Sequence, residues 1–246
     1  MGLLNRIKSR KGERRAASRG ETTSTAKDAI ATGAKIAGFN PEKRIGPVSY
    51  KPFLEFFGVS DLGECADGSV SALLEQLGGL SLGNGLMRLL TLDEQAKWEN
   101  IVRECVVAQC KVPVDFSFSL FASTWNGYCI GVRNKTDMPE ILLFDVETME
   151  INSLDSTLED YLNERIPSRC NGCLASYAYS EWLETHPEPK RNECVGLTKP
   201  LFLGGKDDFD NMEIIDMEVQ WEMTSQIWQA VRDLPPGTPI GSIRFE

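Results

Sequence analysis

The residues of this chain best supplied for chemistry lie between Leu201 and Glu222, LFLGGKDDFDNMEIIDMEVQWE. A Gly-Gly-Lys turn is followed by Asp207, Asp208 and Asp210, then by Asp216 and Glu218. Four chemistries use such residues: a phosphate loop, an oxygen-ligated metal, an acid–base pair, or a carboxylate surface for a basic partner. The phosphate loop fails on spacing. A Walker A loop needs a glycine, four residues, then Gly-Lys-Ser/Thr, so that amides and a hydroxyl surround phosphate and magnesium. Here Pro200 takes the place of the first glycine, and Asp207 follows Lys206 where it would repel phosphate. An EF-hand loop fails too. Started at Asp208, it puts Glu213 where the sharp turn needs glycine and Val219 where the bidentate glutamate belongs. A looser oxygen site from Asp207, Asp208 and Asp210 stays open, against a plain solvated turn.

Zinc and hydrolase chemistry are poorly supplied. Cys170-Asn-Gly-Cys173 has the spacing of a zinc knuckle, and His186 and Cys194 follow it. A tetrahedral site uses those ligand types, but the second close pair is missing. The alternative is a turn with two incidental thiols. The chain has one histidine, so any Cys-His or Ser-His device must use His186, within the exposed-looking THPEP. Neither G-x-S-x-G nor H-E-x-x-H occurs. These residues predict no enzyme, no cofactor and no bound metal. The strand-like alternation of Ile215, Met217, Val219 and Trp221 with Asp216, Glu218, Gln220 and Glu222 predicts a half-buried strand with one carboxylate face. Gly204-Gly205 would turn the chain after a buried Leu201-Phe202-Leu203 and display Lys206, Asp207, Asp208 and Asp210. The carboxylates Asp207, Asp208, Asp210, Asp216 and Glu218 are therefore the candidate partner-binding residues, against a reading in which they are a solvated acidic edge.

The elements that must position this stretch are legible as periodicities. Short helices are expected over 52–57 and 69–76, and a strand over 85–90. Thr91 and Glu94 have capping-box spacing, with a helix to about Val107 whose inner face holds Trp98, Ile101, Val102 and Cys105. Val112 to Ser123 alternates, placing Val114, Phe116, Phe118 and Leu120 on one face. Asn126-Gly127 is a strong hairpin signal, with returning strands over 128–132 and 141–146. Ser156 and Glu159 suggest a second capping box, before a helix with Leu158, Tyr161, Leu162 and Ile166 inward. Another helix is expected near 175–184, with Tyr177, Trp182 and Leu183 as its apolar residues. A helix with Met223, Ile227, Ala230, Val231 and Leu234 follows the acidic strand, and a last strand is expected from Ile240 to Phe245. Without strict βαβ alternation the class is α+β: a mainly antiparallel twisted sheet flanked by helices, with a flexible basic N-terminal arm.

Charge divides the chain. Residues 1–44 carry 11 Lys/Arg against 4 Asp/Glu, and residues 45–246 carry 15 against 32, a body at −17. Residues 1–34 are polar and lack a packable face, which predicts a mobile basic arm ahead of a domain over 35–246, with a possible sub-boundary near 110. The acidic body should repel nucleic acid and favour a basic partner. No run of about 18 apolar residues and no secretory h-region is present, and Arg6 stands where a myristoylation signal needs Ser or Thr. Seven scattered cysteines do not form a disulfide framework. A soluble, cytoplasmic protein without stable membrane association is expected; the sequence leaves its oligomeric state open.

One run is more specific than any short motif. Cys194 to Ile240, CVGLTKPLFLGGKDDFDNMEIIDMEVQWEMTSQIWQAVRDLPPGTPI, resembles the C-terminal signature of a family of bacterial immunity proteins that accompany DNase effectors of type VI secretion. The shared wording falls on Cys194-Val195-Gly196, on Pro200 to Gly205 with Asp207, and on Asn211, Glu213 and Asp216. It continues through Glu218, Val219, Trp221 and Gln226 to Leu234-Pro235, Gly237-Thr238 and Ile240. Leu197, Gln220 and Ser225 depart from it. Leu73 to Trp98 resembles the helix, glycine turn and strand that open such Tdi-like domains, with a GAD-like or SUKH-like N-terminal part. The hairpin at Trp125-Asn126-Gly127 and Leu142 to Ile151 fit as well, so the resemblance covers about residues 70–240. It implies a non-enzymatic inhibitor that binds a cognate basic toxin, a DNase effector, and blocks its active site or substrate entry. An adaptor or chaperone that loads an effector onto the secretion machinery is the alternative, with a metal-dependent enzyme behind both.

Overall fold

The computed structural model describes residues 46–60, 64–134, 140–235, 237–238 and 240. The basic arm over 1–34 lies outside them, as does the expected last strand beyond Ile240. Among the described residues two short helices come first, α1 (Lys51–Phe56) and α2 (Val70–Leu77). Ser69 caps α2, its Oγ accepting the Ala72 N–H at 3.1 Å. A hairpin of β1 (Ser81–Leu82) and β2 (Met87–Leu89) precedes α3 (Leu92–Cys105). The predicted capping box is present. Thr91 Oγ1 accepts the Glu94 N–H at 3.1 Å, and the Glu94 carboxylate accepts the Thr91 N–H at 2.8 Å.

Four longer strands complete an antiparallel meander in the order β1-β2-β3-β4-β5-β6. They are β3 (Phe118–Thr124), β4 (Cys129–Arg133), β5 (Glu140–Asp145) and β6 (Glu150–Asp155). The Asn126-Gly127 turn joins β3 to β4, with Gly127 at φ +82°. β3 starts later than the alternation suggests. Pro113 cannot donate to a ladder and instead accepts the Phe116 N–H at 3.0 Å in a turn, which leaves Val114 fully exposed.

The second half is helical around one small hairpin. α4 (Leu158–Asp160) runs through a π turn (Tyr161–Arg165) into α5 (Ile166–Leu174), and α6 (Ser176–Leu183) follows. The cap is Thr157, whose Oγ1 accepts the Asp160 N–H at 3.0 Å, one residue beyond the expected Ser156. In α6 the buried aromatics are Tyr179 and Trp182, while Tyr177 faces solvent. β7 (Glu193–Leu197) pairs antiparallel with β8 (Met212–Asp216), and α7 (Met217–Val231) closes the fold.

Two arginines fasten this half to the meander. Arg88 of β2 is 1% exposed. Its guanidinium donates to the carbonyls of Pro189 at 2.6 Å and Glu193 at 2.7 Å. Arg191 returns the contact, donating to the carbonyls of Gly79 at 2.9 Å and Leu89 at 2.8 Å and to the Glu94 carboxylate at 2.8 Å. The turn between β3 and β4 lies beneath the same seam. Trp125 accepts the Val195 N–H at 2.8 Å through its carbonyl, and Trp221 Nε1 donates to the Gly127 carbonyl at 2.8 Å. A single apolar core runs across both halves.

Removing the Arg88 fork would leave two carbonyls without their charged donor. Arg88→Met should therefore lower stability by on the order of 3 kcal/mol in urea denaturation. A loss below about 0.5 kcal/mol, the usual size of a surface effect, would show that the clasp is dispensable.

Candidate functional site

The acidic stretch is built differently from its sequence pattern. Met217 to Glu222 is the first turn and a half of α7, not a strand. Asp216 ends β8 and caps that helix, its Oδ1 accepting the Glu218 N–H at 3.0 Å and the Val219 N–H at 3.3 Å. Asp216 Oδ2 also accepts from Asn192 Nδ2 at 2.9 Å. Glu218 pairs with Lys97 of α3. Asp216 and Glu218 thus do not share a strand face. One of them caps a helix and the other ties α7 to α3.

The Gly-Gly turn is architectural. A Cβ on Gly205 would lie 1.9 Å from the Lys199 carbonyl oxygen, so the chain passes there only as glycine, and Gly204 takes φ +80°. Leu201–Leu203 is a half-buried 3₁₀ turn, not the fully buried segment expected. Asn211 buckles the loop. Its Nδ2 donates to the carbonyls of Lys199 at 2.8 Å and Lys206 at 2.9 Å, and its Oδ1 accepts the Lys199 N–H at 3.0 Å and the Thr198 hydroxyl at 2.8 Å. Phe209 places its ring edge-on to Trp182, centroids 5.8 Å apart.

The three aspartates have separate surroundings. Asp210 is exposed, whereas Asp207 and Asp208 are half-buried. Asp207 faces a buried acidic turn that the sequence reading did not single out. There Asp145 Oδ1 accepts the N–H groups of Glu147 at 2.8 Å and Thr148 at 3.1 Å, and Tyr128 donates its hydroxyl to Glu147 at 2.9 Å. Burial, then the neighbouring Asp145 charge, push the Glu147 carboxyl up to about 8, with Asp207 adding to the effect against the lowering by the Tyr128 hydrogen bond. The only sequence signal for this turn was Asp145 followed by Glu147 at the end of an apolar strand.

The thiols stand apart. Cys170 and Cys173 lie in α5, Cys194 is buried in β7, and the His186 ring stacks on Trp182 at 3.8 Å. Among the described residues no three His, Cys, Asp or Glu side chains converge as metal ligands. All seven cysteines are unbridged, and burial raises the thiols of Cys65, Cys105, Cys110, Cys129, Cys170, Cys173 and Cys194. A raised thiol holds little thiolate and is a weak nucleophile.

Glu147 sets a pH dependence of known sign. A carboxyl raised by folding favours the protonated chain, so its contribution is full below the unfolded value near 4.5 and is lost as pH rises through about 8. Glu147→Gln, which keeps an acceptor for Tyr128, should flatten the decline in melting temperature across that window. An unchanged slope in the variant would assign the decline to other groups.

Comparison with known proteins bears on residues that this geometry has just placed. The family model described as T6SS immunity protein Tdi1, C-terminal, matches residues 156–228, from just before the Thr157 cap to Trp228 within α7. No curated protein gives a significant match. One similar solved structure is the crystal structure of Atu4351 from Agrobacterium tumefaciens, at 13% identity and a TM-score of 0.49, with 72% of this chain and 89% of that chain covered. The similarity to the type VI secretion immunity protein Tdi1 thus rests on residues 156–228, the C-terminal segment that holds the acidic stretch.

Proposed function

We propose that the protein neutralises a cognate type VI secretion toxin, a DNase, by binding it and occluding its active site or substrate groove. The observation that carries this reading is the match of residues 156–228 to the immunity family. The charge of the body supports it. A nuclease that handles DNA needs a basic groove, and the −17 carried by residues 45–246 is complementary to one. Attraction at a distance speeds capture, which matters when each free toxin molecule cuts the producer's own DNA. The carboxylates at Asp207, Asp208, Asp210, Asp216 and Glu218 contribute to that field. Asp210 is the exposed member, and Asp216 and Glu218 contribute while also holding α7 in place.

The protein acts in this reading as a stoichiometric binder rather than an enzyme, in the cytoplasm of the producing cell. The unbridged cysteines suit a reducing compartment, and no described helix is long and apolar enough to cross a membrane.

Expression of the cognate toxin should stop growth, and co-expression of the full chain should restore it. Asp210→Lys should slow association with the purified toxin and flatten its salt dependence while leaving dissociation nearly unchanged, because a peripheral charge acts mainly on the encounter. Continued growth arrest with a soluble, folded chain would refute the immunity reading. Restored growth with an unaltered on-rate would remove Asp210 from the steering surface.

A further inference from the structure

The helix α7 has two faces that both carry apolar residues. Its inner face buries Met217, Trp221 and Thr224, and Trp228 sets its ring edge-on to Phe202 with centroids 5.0 Å apart. A surface helix ordinarily turns charged and polar residues outward. Here Val219, Met223 and Ala230 are exposed on the outward side with Ile227 half-buried beside them, and Leu234 is exposed just beyond the end of the helix. Val219 is 42% exposed, Met223 39% and Leu234 43%. Val219, Met223 and Ala230 line one side of the helix at spacings of four and seven residues, a seam unlike the single scattered apolar residues that any surface carries.

The rim of this seam is acidic. Glu218 and Glu222 come from α7 itself. Glu104 comes from α3, exposed and one residue before Cys105, whose carbonyl accepts the Ser225 hydroxyl of α7 at 3.2 Å. Lys97 offsets Glu218 by direct pairing, so Glu222 and Glu104 set the sign of the rim between α3 and α7. An apolar centre with a charged margin is the ordinary plan of a protein-binding surface.

We infer that this seam receives a basic amphipathic segment of the toxin, apolar residues against Val219 and Met223 and Lys or Arg side chains against Glu222 and Glu104. The inference rests on the immunity reading and assigns its contact surface. Charge selects the occupant. A second copy of the chain in a two-fold contact would bring the same patch, with its carboxylates, against itself. A cationic partner instead satisfies the rim and covers the apolar centre together. Most of the seam lies within residues 156–228, the segment that carries the family match.

The test uses the full chain and a catalytically inactive form of the cognate toxin, with binding kinetics followed on a sensor surface. The variants are V219S/M223S and E222K. Both should melt within about 2 °C of wild type, because exposed positions carry little stability. V219S/M223S should weaken affinity by about tenfold or more through faster dissociation, as loss of a central apolar contact does. E222K should slow association and reduce its dependence on salt. Wild-type chain that fails to bind the toxin overturns the immunity reading itself. Wild-type binding that V219S/M223S leaves unchanged overturns the seam alone. Sedimentation that shows a wild-type dimer, broken by V219S/M223S, makes a second copy the occupant and likewise overturns the proposal.

Discussion

The arrangement depends on an exchange of arginines between the two halves. Arg88 leaves the meander and reaches the carbonyls of 189 and 193; Arg191 leaves the segment between them and reaches the carbonyls of 79 and 89. Each guanidinium satisfies backbone acceptors that the other half of the chain left over. Burying such a cation is costly unless its donors are matched, and here the fork geometry supplies several acceptors at once. Glu94 joins the exchange to the start of α3. Burial pushes its carboxyl up, but the Arg191 and Thr91 hydrogen bonds outweigh that and hold it below its ordinary value. The same carboxylate therefore ends a capping box and anchors the clasp.

That anchoring explains an unusual hairpin. Asn126-Gly127 has the chemistry of a solvent-facing turn, yet Trp125 and Asn126 are buried. The C-terminal half lies over the turn, with Trp221 bonded to the Gly127 carbonyl and Cys194 Sγ 3.0 Å from where a Gly127 Cβ would stand. Gly127 thus meets two demands, a positive φ and a close approach. The loop from Pro200 to Asn211 is then held by Asn211 and by the passage at Gly205. What reads as a possible phosphate or metal motif is a structural buckle. It leads the chain into β8, where Asp216 ends the strand and caps α7.

The parts legible in the sequence were those fixed by local chemistry. The Thr91–Glu94 box, the Asn126-Gly127 turn and the alternating strands of the meander each follow from residues a few positions apart. The strand reading of 215–222 failed because two periods coincide there. Ile215, Met217, Val219 and Trp221 alternate, but Met217, Gln220, Trp221 and Thr224 are the buried helical set, and the polar Gln220 and Thr224 conceal it. Asp216 resolves the conflict as a helix cap, a role that competes with strand pairing in any aspartate at such a boundary. The Arg88–Arg191 exchange left no local signature, and the Glu147 turn left only Asp145 two residues ahead of Glu147. What buries that turn against Tyr128 and Asp207, like the exchange of arginines, joins residues that are distant in sequence and meet only in the folded topology.

The central proposal is that an acidic chain silences a nuclease by contact. Titration of the purified chain into a DNA-degradation reaction run by the purified toxin tests it most directly. The account predicts that cleavage falls to background at one chain per toxin, with no cleavage by the chain alone. Full cleavage at a large excess of folded chain would contradict it.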